Sequence, residues 1–181
     1  MAHSVIRRWL MGTVAAVAVG VASWGLMTLS KPAQAKEGGV TKGQAAPDFS
    51  LKSVDGKDIK LSEMKGKVVV VDFWATWCGP CVRSLPHINE LANDAKLKEK
   101  GLMVLAVNLE EGKDQVKKFL DDKKLTLTCA LDTDGKVAGA YGVTAIPMTL
   151  VVAKDGNIAA VFVGADEKAL GQAIDAALAE K

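Results

Sequence analysis

An α/β fold, with a mixed central sheet flanked by helices, is predicted by three observations. The first is the run Val68-Val69-Val70-Val71-Asp72-Phe73-Trp74. Four consecutive β-branched residues without polar alternation read as a strand buried on both faces, the kind found at the centre of a parallel or mixed sheet. The second is the order of segments after that run: a turn carrying Cys78 and Cys81, a long helix-forming stretch, and another apolar run over 102–107. Strand, helix, strand is the pattern of a right-handed parallel crossover. The third is Asp-Gly at 55–56 and again at 155–156, each set between apolar stretches, which predicts antiparallel hairpins added to the sheet.

The length of 181 residues suits one domain plus an extension, and 49% hydrophobic residues suffice for a core. Residues 1–35 hold three of the 23 basic residues and none of the 21 acidic ones, so the remainder carries a net charge of −1. Its lysines are scattered among acids. That is a solvated surface, not the concentrated basic face of a nucleic-acid binder, and no nucleic-acid partner is expected.

In chain order, Arg7 and Arg8 precede an uncharged apolar run over 9–29, followed by Ser30-Lys31-Pro32-Ala33-Gln34-Ala35, which ends in an Ala-x-Ala cleavage pattern. Residues 1–35 are therefore a signal peptide cut after Ala35 or, since 9–29 is long enough to span a bilayer, a retained N-terminal membrane anchor. Both readings place the domain in the periplasm, or on the extracytoplasmic side of a bacterial membrane, with the arginines left inside. Residues 36–46 are a short flexible linker by composition, and the folded domain is expected over 47–181.

Within that domain, Phe49 and Leu51 face Ile59 and Leu61 across the first Asp-Gly turn, giving two short strands at a sheet edge. A single helical turn over 62–67 is closed by Gly66. The central strand takes 68–75. A helix is expected from about Cys78 to Lys100, kinked at Pro86 because proline lacks an N–H and crowds the preceding turn. Gly101 ends it, and 102–107 is the next buried strand. Within 112–124, Val116, Phe119 and Leu120 recur at helical spacing, with Lys and Asp on the other face. Over 125–131, Leu125, Leu127, Cys129 and Leu131 alternate with small or polar residues, which predicts a half-buried strand. Asp132-Thr133-Asp134-Gly135 has the opening spacing of a calcium loop, but the later ligands are missing; a turn capping a short helix over 136–141 is predicted. Strands over 148–152 and 158–163 make the second hairpin. Leu170, Ala173, Ile174, Ala177 and Leu178 give the last helix its apolar stripe.

The chemistry concentrates at the two cysteines. At the mouth of a helix, backbone N–H groups and the helix dipole stabilise a thiolate. Cys78 is the candidate nucleophile toward a substrate disulfide, and Cys81, one turn on, is the candidate resolving thiol that breaks the mixed disulfide. Gly79 lets the turn bend and Pro80 stiffens it. Structural zinc needs a second pair of Cys or His ligands, and only Cys129, His3 and His87 remain, so no metal and no other cofactor is assigned. A purely structural bridge would close too short a loop to add much stability. Asp72 lies six residues before Cys78 in an otherwise apolar strand, where burial raises a carboxyl pKa. It is either a proton carrier for Cys81 or an aspartate bonded to backbone or water. Cys129 reads as a buried free cysteine, Trp77 as part of the substrate surface, and His87 as a surface residue without assigned function.

Trp77-Cys78-Gly79-Pro80-Cys81, taken with Asp72, Trp74, Pro86 and Ile146-Pro147, resembles thioredoxin. The resemblance implies a thioredoxin-like fold, a cis Ile146–Pro147 bond facing the dithiol, a substrate strand paired with the Ile146 backbone, and the proton-transfer role for Asp72. Trp77, Gly79, Pro80, Ile146 and Pro147 then form the expected substrate-binding set. Ala46-Pro47-Asp48-Phe49-Ser50-Leu51, Asp55-Gly56-Lys57, Leu61-Ser62 and Lys65-Gly66-Lys67, with an inserted helix and strand over about 111–131, resemble the exported TlpA/ResA-like branch of the redoxins. Two positions depart from it. Ser84 stands where some ResA-like proteins carry an active-site glutamate, which leaves proton handling to Asp72. Met148 replaces the usual threonine after the proline, which is expected to reshape the substrate groove.

These readings converge on an exported thiol–disulfide oxidoreductase that reduces protein disulfides. A bacterial envelope is oxidising, so a reductant there needs an electron supply. The resemblance implies a membrane thiol carrier as donor and apocytochrome c, or another oxidised protein, as acceptor, hence a place in cytochrome c biogenesis. Two other classes compete. A redoxin-type thiol peroxidase would set its cysteine in a Pro-x-x-x-Thr/Ser-x-x-Cys frame, which does not precede Cys78. A non-catalytic, membrane-tethered binding module would not need both cysteines.

Overall fold

The computed structural model describes residues 39–180, so the targeting segment and its apolar run over 9–29 lie outside the described residues. Seven strands form one sheet: β1 (Ser50–Ser53), β2 (Asp58–Lys60), β3 (Val68–Trp74), β4 (Leu102–Leu109), β5 (Thr128–Asp132), β6 (Met148–Val152) and β7 (Ile158–Val163). Their spatial order is β2-β1-β5-β4-β3-β6-β7. β3 lies between β4, to which it is parallel, and β6, to which it is antiparallel. All its residues are buried, which is why the valine run shows no alternation. β4 and β5 are also parallel, while β1, β2 and β7 add antiparallel margins. The sheet is mixed, as predicted, and both Asp-Gly turns place glycine in the left-handed region, Gly56 at φ 80° and Gly156 at φ 87°.

Five α-helices form among the described residues: α1 (Gly79–Asn93), α2 (Ala95–Glu99), α3 (Lys113–Asp122), α4 (Lys136–Tyr141) and α5 (Glu167–Ala179). Strand alternation sends Val68, Val70 and Trp74 into one apolar cluster with Leu85 and Ile88 of α1, Val116 and Leu120 of α3, and Leu170 and Ile174 of α5. Val69, Val71 and Phe73 join the other cluster, with Tyr141 of α4 and Leu61. The result is a sheet covered on both faces. Asp72 has the parity of the first face, the one that also holds both active-site cysteines.

Three boundaries differ from expectation. The helix expected over 78–100 is two helices. Asp94 leaves helical backbone (φ −69°, ψ 112°) and its carboxylate accepts the Leu97 N–H at 2.9 Å, an N-cap that starts α2. Pro86 sits inside α1 without ending it. β5 begins at Thr128 instead of 125, because Asn89 Oδ1 on α1 takes the N–H groups of Thr126 and Leu127, at 2.8 and 3.0 Å, away from any strand pairing. Part of the stretch read as a linker is bonded to the domain. Gly43 N–H donates to the Ile158 carbonyl at 2.7 Å, Ile158 N–H to that of Gln44 at 2.8 Å, and Ala46 N–H to that of Gly156 at 3.0 Å. Backbone bonds of this kind leave no trace in composition.

Candidate active site

The site sits where β3 ends and α1 begins, joined by residues 75–78. Cys78 is the N-cap of α1, with extended backbone at φ −82°, and Pro80 falls in the first turn, where its missing N–H removes no intrahelical bond. Cys78 and Cys81 are joined as a disulfide, with Cα atoms 5.2 Å apart. The Cys81 N–H donates to Cys78 Sγ at 3.2 Å. One of the unsatisfied donors of the helix start thus points at the sulfur, the arrangement that stabilises a thiolate there once the bond is reduced. Cys78 is 5% exposed and Cys81 0%.

In front of Cys78 lies a groove of about 740 Å³, walled by Trp77, Gly79 and Pro80 on one side and by Leu109, Val143 and Ile146 among others. Trp77 is 72% exposed. The Ile146–Pro147 peptide is cis, and the Ile146 carbonyl oxygen lies 3.7 Å from Cys78 Sγ. Of the expected substrate-binding set, Trp77, Gly79, Pro80 and Ile146 line the groove, while Pro147 lines a separate, much smaller cavity. Met148 does not line the groove. It is buried with Phe73 and Tyr141 and contributes nothing to the groove wall.

Asp72 is 1% exposed. Its direct cross-strand partner, Thr149 of β6, donates Oγ1–H to Asp72 Oδ1 at 2.7 Å; Oδ2 has no partner among the described residues. Burial pushes the carboxyl up from 3.8 to about 7, against a smaller downward pull from the Thr149 bond. Ser84, on α1 one turn after Cys81, donates its hydroxyl to the Cys81 carbonyl at 3.1 Å. Cys129 is buried, and that burial pushes its thiol up to about 12, so it stays protonated and unreactive at neutral pH. Asp132 points its carboxylate at the N–H groups of Val137 and Ala138, at 3.2 and 2.7 Å, which is the turn-and-cap reading of that stretch. His87 is half-buried, not a free surface residue, with its Nε2 enclosed. No three His, Cys, Asp or Glu side chains come together as a metal set among the described residues.

One residue that sequence reasoning passed over anchors the site from behind. Glu111 is buried just after the end of β4, where its carboxylate accepts from the Thr76 N–H at 2.7 Å, the Thr76 hydroxyl, Asn108 Nδ2 at 2.7 Å and Gln115 Nε2 at 2.5 Å. It ties the loop carrying Trp77 and Cys78 to the neighbouring parallel strand. The available signal was position: an acidic pair at the carboxyl end of a buried strand, where sites of open α/β sheets collect.

The comparisons with known proteins agree with this geometry. The Redoxin family profile matches residues 41–178. The thioredoxin-like protein YneN of Bacillus subtilis is 37% identical over 175 residues, 94% of this chain and 98% of that protein. The thiol-disulfide oxidoreductase ResA of Bacillus thuringiensis is 37% identical over 126 residues, 70% of this chain and 72% of that protein. The crystal structure of a putative thiol:disulfide interchange protein DsbE from Chlorobium tepidum superposes with a TM-score of 0.71 at 40% identity, covering 77% of this chain and 99% of that one. The chain has a thioredoxin-like fold with a dithiol at the start of α1, and it belongs to the Redoxin family as a thiol–disulfide oxidoreductase.

Proposed function

We propose that this oxidoreductase works outside the cytoplasm as a reductant of protein disulfides, with Cys78 as nucleophile, Cys81 as resolving thiol and Asp72 as the proton acceptor for Cys81. The observation that carries the assignment of roles is the difference in access: Cys78 meets the groove, whereas Cys81 is sealed beneath it on the Asp72 side of the sheet. A client segment lies in the groove against Trp77, Gly79, Pro80 and the Ile146 backbone, with Pro147 holding that backbone in place. The Cys78 thiolate attacks one sulfur of the client disulfide, and the other leaves as a thiolate that takes a proton from water. Cys81 then attacks Cys78 Sγ as Asp72 takes its proton. The second client sulfur leaves, and two electrons have passed from the dithiol to the client.

The resulting Cys78–Cys81 disulfide must be reduced again. An oxidising envelope does not do this, which supports a membrane thiol carrier as donor. Export is supported by Arg7-Arg8, the apolar run over 9–29 and the Ala-x-Ala ending at Ala35, as a cleaved signal or a retained anchor. Apocytochrome c is the proposed client class, on the resemblance to the TlpA/ResA-like branch. The test is insulin-disulfide reduction driven by dithiothreitol. Cys78→Ser is expected to abolish it, and retained activity would sink the assignment. Cys81→Ser is expected to accumulate mixed disulfides with envelope proteins, visible as bands lost on reduction; their identity by mass spectrometry decides whether cytochromes c are clients.

A further inference from the structure

Asp72 has a proton to exchange and little exposure through which to exchange it. A second cavity, of about 10 Å³ and so room for one water, lies between α1, Pro147, β6 and the start of α5. Its polar lining comes from Ser84, His87, Thr149, Asp166 and Glu167. The Ser84 hydroxyl is occupied by the Cys81 carbonyl, and Asp166 Oδ1 caps α5 by accepting the Ala169 N–H at 2.9 Å. Besides the acidic pair Asp166 and Glu167, two groups of this lining remain, Thr149 and His87. Thr149 Oγ1 is bonded to Asp72 and still has lone pairs, while His87 Nε2 is buried with no partner among the described residues. The opposite ring nitrogen, Nδ1, lies 3.8 Å from the exposed carboxylate of Glu90.

We propose that His87 is the outlet through which Asp72 exchanges its proton with solvent, by way of the Thr149 hydroxyl and one water held in this cavity. The inference rests on the reading of Asp72 as the proton acceptor for Cys81. A water there has two protein partners, Thr149 Oγ1 and His87 Nε2, the minimum that holds a buried water in place. Asp72 must be emptied before it can take the Cys81 proton. Its carboxyl gives a proton to Thr149 Oγ1; Thr149, with its hydroxyl turned from the carboxyl to the water, gives its own to that water; and the water gives one to His87 Nε2. The imidazole then releases a proton from Nδ1 at the surface. No electron moves, and the threonine and the water end as they began. Imidazole suits the last position because it can take a proton at the enclosed Nε2 and release one from Nδ1, on the side of the exposed Glu90 carboxylate. The charged groups on the elements packed here are Glu90 and, one turn before His87, Arg83 from α1, with Asp166 and Glu167 ahead of and within α5.

The test is single-turnover oxidation of the reduced protein by excess glutathione disulfide, followed by tryptophan fluorescence across neutral pH. His87→Gln and Thr149→Val are each expected to slow the resolving step by about tenfold or more, toward the Asp72→Asn rate, and to flatten its pH dependence. Thr149→Ser keeps a hydroxyl and is expected to keep the rate. A wild-type rate in His87→Gln overturns the relay, as does a loss that is equal at every pH and shared by Thr149→Ser. If Asp72→Asn itself runs at the wild-type rate, the reading of Asp72 falls and the relay with it; if Asp72→Asn alone is slow, only the relay falls.

Discussion

Asp72, Cys81 and Cys129 are three buried titratable side chains on one face of the sheet, yet only the first two are expected to matter for turnover. Asp72→Asn keeps the shape of the side chain and removes its capacity to take a proton. The resolving step should slow by about 10- to 100-fold at pH 7 while attack by Cys78 is unchanged, so the mixed disulfide should accumulate in quenched-flow samples. Cys129→Ala removes a thiol that burial keeps protonated, and insulin reduction should stay within about twofold of the parent. Its cost is a small cavity, about 1 kcal/mol in urea denaturation. A large loss of activity would revive a third redox thiol. Asp72 and the cysteine pair were legible because each is a local contradiction: a carboxylate in a valine strand, two thiols at a helix start. Thr149 and Glu111 were not, since their meaning lies in partners 77 and 35 residues away.

At the level of elements, the legible features were those with a short-range signal. The valine run, the Asp-Gly hairpins and the apolar stripe of α5 are periodicities, and the strands and helix formed where they point. The misplaced boundaries involve side chains acting across elements. Asn89 holds 126–127 off the sheet from α1, and Asp94 restarts a helix that composition would have continued. The same kind of contact sets the active-site loop. Glu111→Ala leaves the Thr76 N–H and the Asn108 amide without their acceptor, so stability should fall by about 2–3 kcal/mol. Turnover should fall as well, because the loop before Cys78 loses its anchor on β4. An unchanged urea midpoint would show that the network is ornamental. The segment over 40–46 is held by a close approach of two glycines. Gly142 has φ 66°, and a Cβ there would sit 2.2 Å from Gly39 Cα. Gly142→Ala should therefore lower Tm and expose that segment to proteolysis.

For the whole molecule, the buried carboxylate sets stability against function across the neutral range. In the unfolded chain Asp72 ionises near 3.8; in the folded protein it holds its proton to about 7. Below the lower value both states are protonated and the group contributes no difference. Between the two, the unfolded state has lost a proton that the folded state keeps, so stability falls as pH rises, and above about 7 the loss is complete. A gap of this size corresponds to a loss on the order of 4 kcal/mol, a large fraction of the roughly 5–15 kcal/mol that holds a typical domain together. The exposed carboxylates of Asp58, Asp134 and Asp155 are held below 3.8 by their hydrogen-bond partners, so their titration acts at more acid pH and does not mask this window. Urea denaturation of the oxidised protein from pH 4 to 8 should therefore show a decline that Asp72→Asn abolishes. The variant should match the parent at pH 4 and exceed it by several kcal/mol at pH 8 while reducing insulin more slowly. Parallel curves for the two proteins would mean that Asp72 ionises normally in the fold. In that case the proton acceptor for Cys81 would have to be sought elsewhere.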